Sequence, residues 1–169
     1  MATKKGIVLT ATIIGGFVAA SFLVYLIPQP ESTLITPENA EGQLRFAIDR
    51  KDAVIDEFNT SLQGWKNGEV DKDTFNSAAI TALEQINALI IELQNSRVPN
   101  EWVQSYSLFI QALENYKTYV GTTKEYVDYK SEEPSDPSTE NSYLDSMSNA
   151  LDRAEELVKQ SADAIPRTT

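Results

Sequence analysis

An uncharged run of 22 residues, 6–27, constrains this chain more than any other feature of its sequence. A helix of that length measures roughly 33 Å, which matches a membrane hydrocarbon core of about 30 Å. Secretory signals usually have a shorter apolar region that ends in small residues, and Val18 and Ala20 before Ser21 could serve as such a cleavage site. Because cleavage there would expose a strongly apolar N-terminus, we expect a retained anchor and keep a removed signal peptide as the alternative.

The charges that flank this run predict its orientation. Lys4 and Lys5 precede it, whereas the first basic residue after it is Arg45. Basic residues are enriched on the cytoplasmic side of a span, so the N-terminus is expected in the cytoplasm of a single-pass cell-membrane protein. The sequence then divides into a cytoplasmic N-terminus with its anchor, a tether and an extracytoplasmic domain, at residues 1–27, 28–36 and 37–166.

The composition beyond the anchor excludes several classes of function. Residues 31–169 hold all 25 acidic residues and 12 of the 14 basic ones, so they should repel nucleic acid and anionic lipid. The chain has no histidine and no cysteine, which removes disulfides, Ser–His and Cys–His nucleophile pairs, and the common zinc, copper and haem ligands. We therefore expect no catalytic residue, no cofactor and no metal site, and a protein that is not an enzyme.

Four segments of the extracytoplasmic part repeat apolar residues in steps of three and four, the spacing of one helix face. Capping residues, prolines and a glycine predict where each helix starts and stops. The predicted helices follow Thr36, Asp71, Val98 and residue 142, and they end near Asn67, Arg97, Lys130 and Pro166.

The connections between these helices favour one arrangement. Two connections are short, and the third, residues 131–142, has two prolines and four acids, which predicts a mobile acidic loop. The expected fold class is all-α, with an N-terminal transmembrane helix followed by an antiparallel up-down four-helix bundle. A repeat near 3.5 residues predicts shallow left-handed crossings. The alternative is an open pair of hairpins that a partner helix completes.

Lys51 is the charged residue that interrupts the apolar stripe of the first helix. When antiparallel helices are counted from their connections, Lys51 falls within about a turn of Asn87, Phe109 and Ser161. We therefore predict a polar layer formed by Lys51, Asn87 and Ser161. Because a lone buried ammonium is unfavourable, the alternative is that the lysine extends its charged end toward water.

Aromatic residues on the third helix are candidates for a partner surface. Tyr119, Tyr126 and Tyr129 lie one or two positions off the apolar stripe, and Trp102 lies near the helix start. Tyrosine and tryptophan are favoured at protein interfaces because they are large and tolerate water. The alternative is that the tyrosines widen the apolar face of the bundle and that Trp102 closes its end.

Small residues four apart form two adjacent rows within the uncharged run. Such rows let a second membrane helix approach closely, either from another subunit or from a second copy of this chain. The two rows are Ala11, Gly15 and Ala19, and Thr12, Gly16 and Ala20.

The stretch KKGIVLTATIIGGFVAASFLVYLIP, followed by a cysteine-free acidic helical domain, resembles the small single-span accessory subunits of archaeal membrane enzymes, those of ammonia monooxygenase included. The resemblance implies association with a catalytic membrane complex and assigns no metal ligand to this chain. We expect a non-catalytic accessory or scaffolding subunit of such a complex. A membrane-anchored extracytoplasmic bundle that senses or binds a ligand is the alternative function.

Overall fold

The computed structural model describes residues 34–131 and 136–166, and in these ranges the chain is all-helical. A short 3-10 turn, Asn100–Trp102, leads into the third helix, and no strand forms within the two ranges. The four helices are α1 (Pro37–Lys66), α2 (Lys72–Asn95), α3 (Val103–Lys130) and α4 (Pro137–Asp163). The prediction of an all-α fold with four helices packed together is confirmed for this part of the chain.

Most helix ends form at the capping residues that the sequence indicates. The side chain of Asp71 accepts a hydrogen bond from the Thr74 backbone N–H at 2.8 Å, which satisfies a free donor in the first turn of α2. Gly68, just after α1, has a φ of 71°. Because only glycine adopts this left-handed conformation without strain, the Asn67-Gly68 pair ends α1.

The fourth helix begins earlier than the sequence analysis predicts. Asp136 accepts a hydrogen bond from the Thr139 backbone N–H at 2.9 Å, and Pro137 occupies the first helical position. An N-cap followed by proline is a strong local start signal, and it outweighs the low hydrophobicity of the surrounding segment. The predicted loop 131–142 is therefore wrong for residues 137–142, while residues 132–135 lie outside the described ranges.

Contacts between helices show the up-down order directly. Consecutive helices run antiparallel, because the first half of one is bonded to the last turns of the next. The bonded pairs are Arg50 and Glu92, Asn76 and Asp128, and Ser105 and Ser161. The first and third helices are parallel, since Tyr106 bonds to Ala40 near their starts and Tyr119 contacts Phe58 farther along. The most extensive backbone contact among the described helices is between α3 and α4.

The end of the predicted tether belongs to the folded domain. The Ile35 backbone N–H donates to the Arg97 carbonyl at 3.1 Å, and Leu34 forms an isolated parallel bridge with Arg97. The Ile35 side chain is buried, as is that of Trp102 at the start of α3. The N-terminal approach to α1 and the connection between α2 and α3 therefore lie at the same end of the bundle.

The predicted membrane anchor precedes the described part of the chain. Residues 6–27, which include both rows of small residues, lie outside the described ranges. Within residues 34–131 and 136–166, every helix is too short or too polar to cross a bilayer.

Candidate functional site

Lys51 is a buried charged residue in the middle of α1, with 5% of its surface exposed. Its ammonium contacts the Asp52 carboxylate and lies 4.8 Å from the centroid of the Tyr116 ring on α3. A cation over an aromatic face is attracted by the ring quadrupole, which offsets part of the unfavourable burial of the charge. Asp52 on α1 and Tyr116 on α3 therefore provide the electrostatic partners of the buried Lys51 ammonium.

The same surroundings change the pKa of the Tyr116 phenol. Burial raises the pKa of this phenol, and the positive charge of Lys51 partly opposes that rise. Because the group stays neutral at ordinary pH, Tyr116 offers Lys51 its ring face and not a phenolate.

The predicted polar layer does not assemble, because its three members have separate partners. Asn87 accepts a hydrogen bond from the Lys117 ammonium at 3.0 Å, and Ser161 bonds to Ser105. Counting residues along antiparallel helices gives the height of each side chain. It does not give the rotation of each helix about its axis, which decides which side chains meet.

Ser161 instead forms a reciprocal clasp with Ser105 between α3 and α4. The Ser105 hydroxyl donates to the Ser161 carbonyl at 2.7 Å, and the Ser161 hydroxyl donates to the Ser105 carbonyl at 2.9 Å. Both serines are fully buried. Since side-chain hydroxyls reach the opposite backbone directly, the two helices must approach closely at this point.

The same register continues along the interface between α3 and α4. Ala112 lies seven residues after Ser105, and Ala154 lies seven residues before Ser161, so in an antiparallel pair they face each other one heptad away. Both alanines are fully buried. Small side chains at two successive levels explain why α3 and α4 form the most extensive backbone contact.

Most aromatic residues predicted as a partner surface are core residues. Trp102, Tyr119 and Tyr126 are 5%, 6% and 8% exposed, so they present no aromatic face to a partner. This corrects the interface prediction for these three residues and agrees with the alternative that they widen the apolar face and close the bundle. Tyr129 is half-buried, and its hydroxyl donates to the Asp136 carbonyl at 2.8 Å.

Tyr119 and Tyr126 belong to an aromatic cluster at the end of the bundle away from Trp102. Neighbouring rings in this cluster lie 5.5–6.3 Å apart between centroids, the spacing of favourable tilted and edge-to-face pairs. Hydroxyl groups at its edge bond to neighbouring helices, from Tyr119 to Asn59 and from Tyr126 to Glu140. The cluster comprises Phe58, Trp65, Phe75, Tyr119, Tyr126, Tyr129 and Tyr143.

Charged residues near this end also bond within the chain. Asp128 accepts hydrogen bonds from Lys124 and Asn76 and contacts Lys72, and these donors lower the pKa of its carboxyl to about 2. Glu140 accepts from Lys130 at 3.0 Å. The described ranges hold no group of three acidic side chains arranged to bind a metal ion.

Sequence reasoning missed Ser105, Glu57 and Gln85. Ser105 could have been found from the heptad spacing, because it precedes Ala112 by one repeat and faces the fourth helix. Glu57 and Gln85 interrupt no apolar stripe in the sequence. Only the structure identifies them, through the burial of the Gln85 side chain and of one carboxylate oxygen of Glu57.

Comparison with protein-family models, curated proteins and solved structures gives no significant match to this chain.

Proposed function

We propose that the protein is a non-catalytic accessory or scaffolding subunit of a larger membrane complex. Residues 6–27 anchor it in the cell membrane with the N-terminus in the cytoplasm, and the helical bundle lies on the extracytoplasmic side. The observation that carries the proposal is the uncharged 22-residue run, which begins directly after Lys4 and Lys5. Six residues separate the end of this run from Leu34, where the folded domain begins.

The packing of the bundle supports a structural role. Two buried tyrosine hydroxyls form hydrogen bonds between helices: the Tyr106 hydroxyl donates to the Ala40 carbonyl, and the Tyr119 hydroxyl donates to the Asn59 side chain. The single buried ammonium, among the described residues, is held by an aromatic ring and a carboxylate. Such groups stabilise one arrangement of the helices, which is what a scaffold requires.

The predicted span is the best candidate for contact with other subunits. Three of the four proposed aromatic contact residues are buried within the bundle, so the main remaining candidate surface is the pair of small-residue rows through Gly15 and Gly16. Rows of this kind permit close packing between membrane helices. The resemblance in layout supports a catalytic membrane complex, such as an archaeal membrane monooxygenase, as the host.

Copurification from native membranes tests this proposal. Full-length protein with a C-terminal tag is extracted in mild detergent and captured, and the bound proteins are identified and quantified by mass spectrometry. We expect integral membrane proteins in a fixed ratio to the tagged chain. Recovery of a lone monomer would contradict the subunit proposal and favour the ligand-binding alternative.

A pair of span variants makes this experiment specific. The double substitution Gly15→Leu and Gly16→Leu fills both small-residue rows and should abolish copurification while the chain stays in the membrane fraction. Ile14→Leu changes a neighbouring residue outside the rows and should leave copurification unchanged. Equal recovery of partners by both variants would exclude the rows as the contact surface.

A further inference from the structure

The interface between α1 and α2 contains buried polar atoms that bond to no protein group. Gln85 on α2 is 6% exposed, yet neither its side-chain oxygen nor its side-chain nitrogen has a hydrogen-bond partner. Ser61 on α1 is fully buried, and its hydroxyl also has none. One carboxylate oxygen of Glu57, Oε2, is also buried and has no hydrogen-bond partner.

The register of the two helices brings these groups together. Arg50 of α1 bonds to Glu92 of α2 at 2.8 Å, which fixes the antiparallel alignment. Glu57 lies seven residues after Arg50, and Gln85 lies seven residues before Glu92, so both occur one heptad along on the faces that meet. Ser61 is one further turn along α1, on the same side as Glu57.

Polar atoms in this position require an additional partner. Buried polar groups in folded proteins are nearly always bonded to the protein or to ordered water, since an unmade bond forfeits the hydration lost on folding. An amide, a hydroxyl and a carboxyl together offer both donors and acceptors, which is the set that a bridging water molecule uses. Burial also raises the pKa of the Glu57 carboxyl, as expected for a carboxyl in poorly hydrated surroundings.

We propose that α1 and α2 enclose a hydrated polar site, in which ordered water bridges the side chains of Glu57, Ser61 and Gln85. The water supplies the donors and acceptors that the helices do not offer one another, and it joins α1 to α2 at this level. The competing arrangement is a dry one, in which the Gln85 amide rotates to bond directly to Glu57. The site does not depend on the membrane anchor or on any partner protein.

Water at this site is detectable by NMR on the full chain in detergent micelles. A nuclear Overhauser effect between water and the Gln85 side-chain amide protons is expected, with the sign of a long-lived bound water. The Gln85→Leu variant identifies the amide signal by its loss. The amide of Gln94, exposed on the same helix, serves as the control and should show no such bound-water effect. A Gln85 amide without a water signal would overturn the proposal.

Coupling between substitutions provides a second test that does not depend on the first. Gln85→Leu and Ser61→Ala are made singly and together, and the unfolding equilibrium constant is measured for each variant. A shared water predicts a combined effect that departs from the product of the single effects by more than about twofold. Gln94→Leu combined with Ser61→Ala is the matched control and should be multiplicative.

The two measurements together separate the possible arrangements. Coupling together with a water signal supports the hydrated site. Coupling without a water signal indicates a direct contact between the side chains and overturns the proposal of a hydrated site. If the effects of the two substitutions on the unfolding equilibrium constant simply multiply, Gln85 and Ser61 share no water, and the proposal is also overturned. If a variant fails to fold, the Gln85 side-chain amide is assigned through its own backbone signals in the unsubstituted chain, and the water measurement on that chain still decides the question.

Discussion

Removing the hydroxyls of the Ser105–Ser161 clasp should lower stability by a predictable amount. Each hydroxyl donates one buried hydrogen bond to the carbonyl of the other serine, at 2.7 Å and 2.9 Å. A buried hydrogen bond contributes about 1 kcal/mol net, so Ser105→Ala and Ser161→Ala should each lower the free energy of unfolding by about that amount. For a chain of this size, that corresponds to about 2–4 °C in melting temperature.

The double variant tests the geometry of the clasp. The two hydroxyl oxygens lie 3.4 Å apart, whereas each hydroxyl is closer to the opposite backbone carbonyl, and that carbonyl remains in an alanine variant. We therefore expect nearly additive effects and a total loss of about 2 kcal/mol. Thermal and urea unfolding of the full chain in mild detergent, followed by circular dichroism, measure both quantities.

A larger side chain at the same position tests how closely the helices approach. Ser161→Val places a second branch where the side chain is fully buried, and overpacking of this kind lowers stability by about 1–3 kcal/mol. We expect Ser161→Val to be less stable than Ser161→Ala. Equal or higher stability of the valine variant, or strong coupling between the two alanine substitutions, would refute the close-approach clasp.

Three further outcomes follow from the described contacts. The carboxyl of Asp128 has a pKa of about 2, below its ordinary value, so the stabilisation it provides is present above about pH 4 and is lost as the pH falls through 2. In acid unfolding, the free energy of unfolding should fall by about 1 kcal/mol over this range, and this fall should be absent in Asp128→Asn. Tyr106→Phe removes the buried bond to the Ala40 carbonyl and should lower the free energy of unfolding in urea by about 1 kcal/mol; an unchanged midpoint would contradict this. Gly68→Ala places a Cβ at a φ of 71° and should lower the melting temperature by more than Gly68→Asn does. The free energies of unfolding of these two variants should differ by about 1 kcal/mol.

The two interfaces of the bundle differ in how they are held together. Between α3 and α4, alanines and a serine clasp permit close approach, so backbone and side-chain groups satisfy one another directly. Between α1 and α2, the buried amide of Gln85 is left without a protein partner. Hydrogen exchange on the full chain should therefore show slower opening at the core of α3 and α4 than at the α1–α2 interface.

Local signals in the sequence predict where the helices lie. Asp71 and Asn67-Gly68 mark helix ends that the structure confirms, because capping and a positive φ depend on a few adjacent residues. The start of the fourth helix is the exception: Asp136-Pro137 carries the same kind of signal, but it lies in a segment whose low hydrophobicity predicts a loop. A capping pair is the better guide here, since it satisfies the free backbone donors of a helix start whatever the surrounding composition.

The number of helices, most of their ends and their antiparallel order are predictable from the amino-acid sequence, because periodicity, capping and short connections are local properties. Three further features are visible only in the folded protein: Ser161 bonds to Ser105, Lys51 lies over Tyr116, and Tyr119 and Tyr126 are core residues. These outcomes depend on the rotation of each helix about its axis and on the distance between helices. Both are set by the summed packing of side chains from several segments.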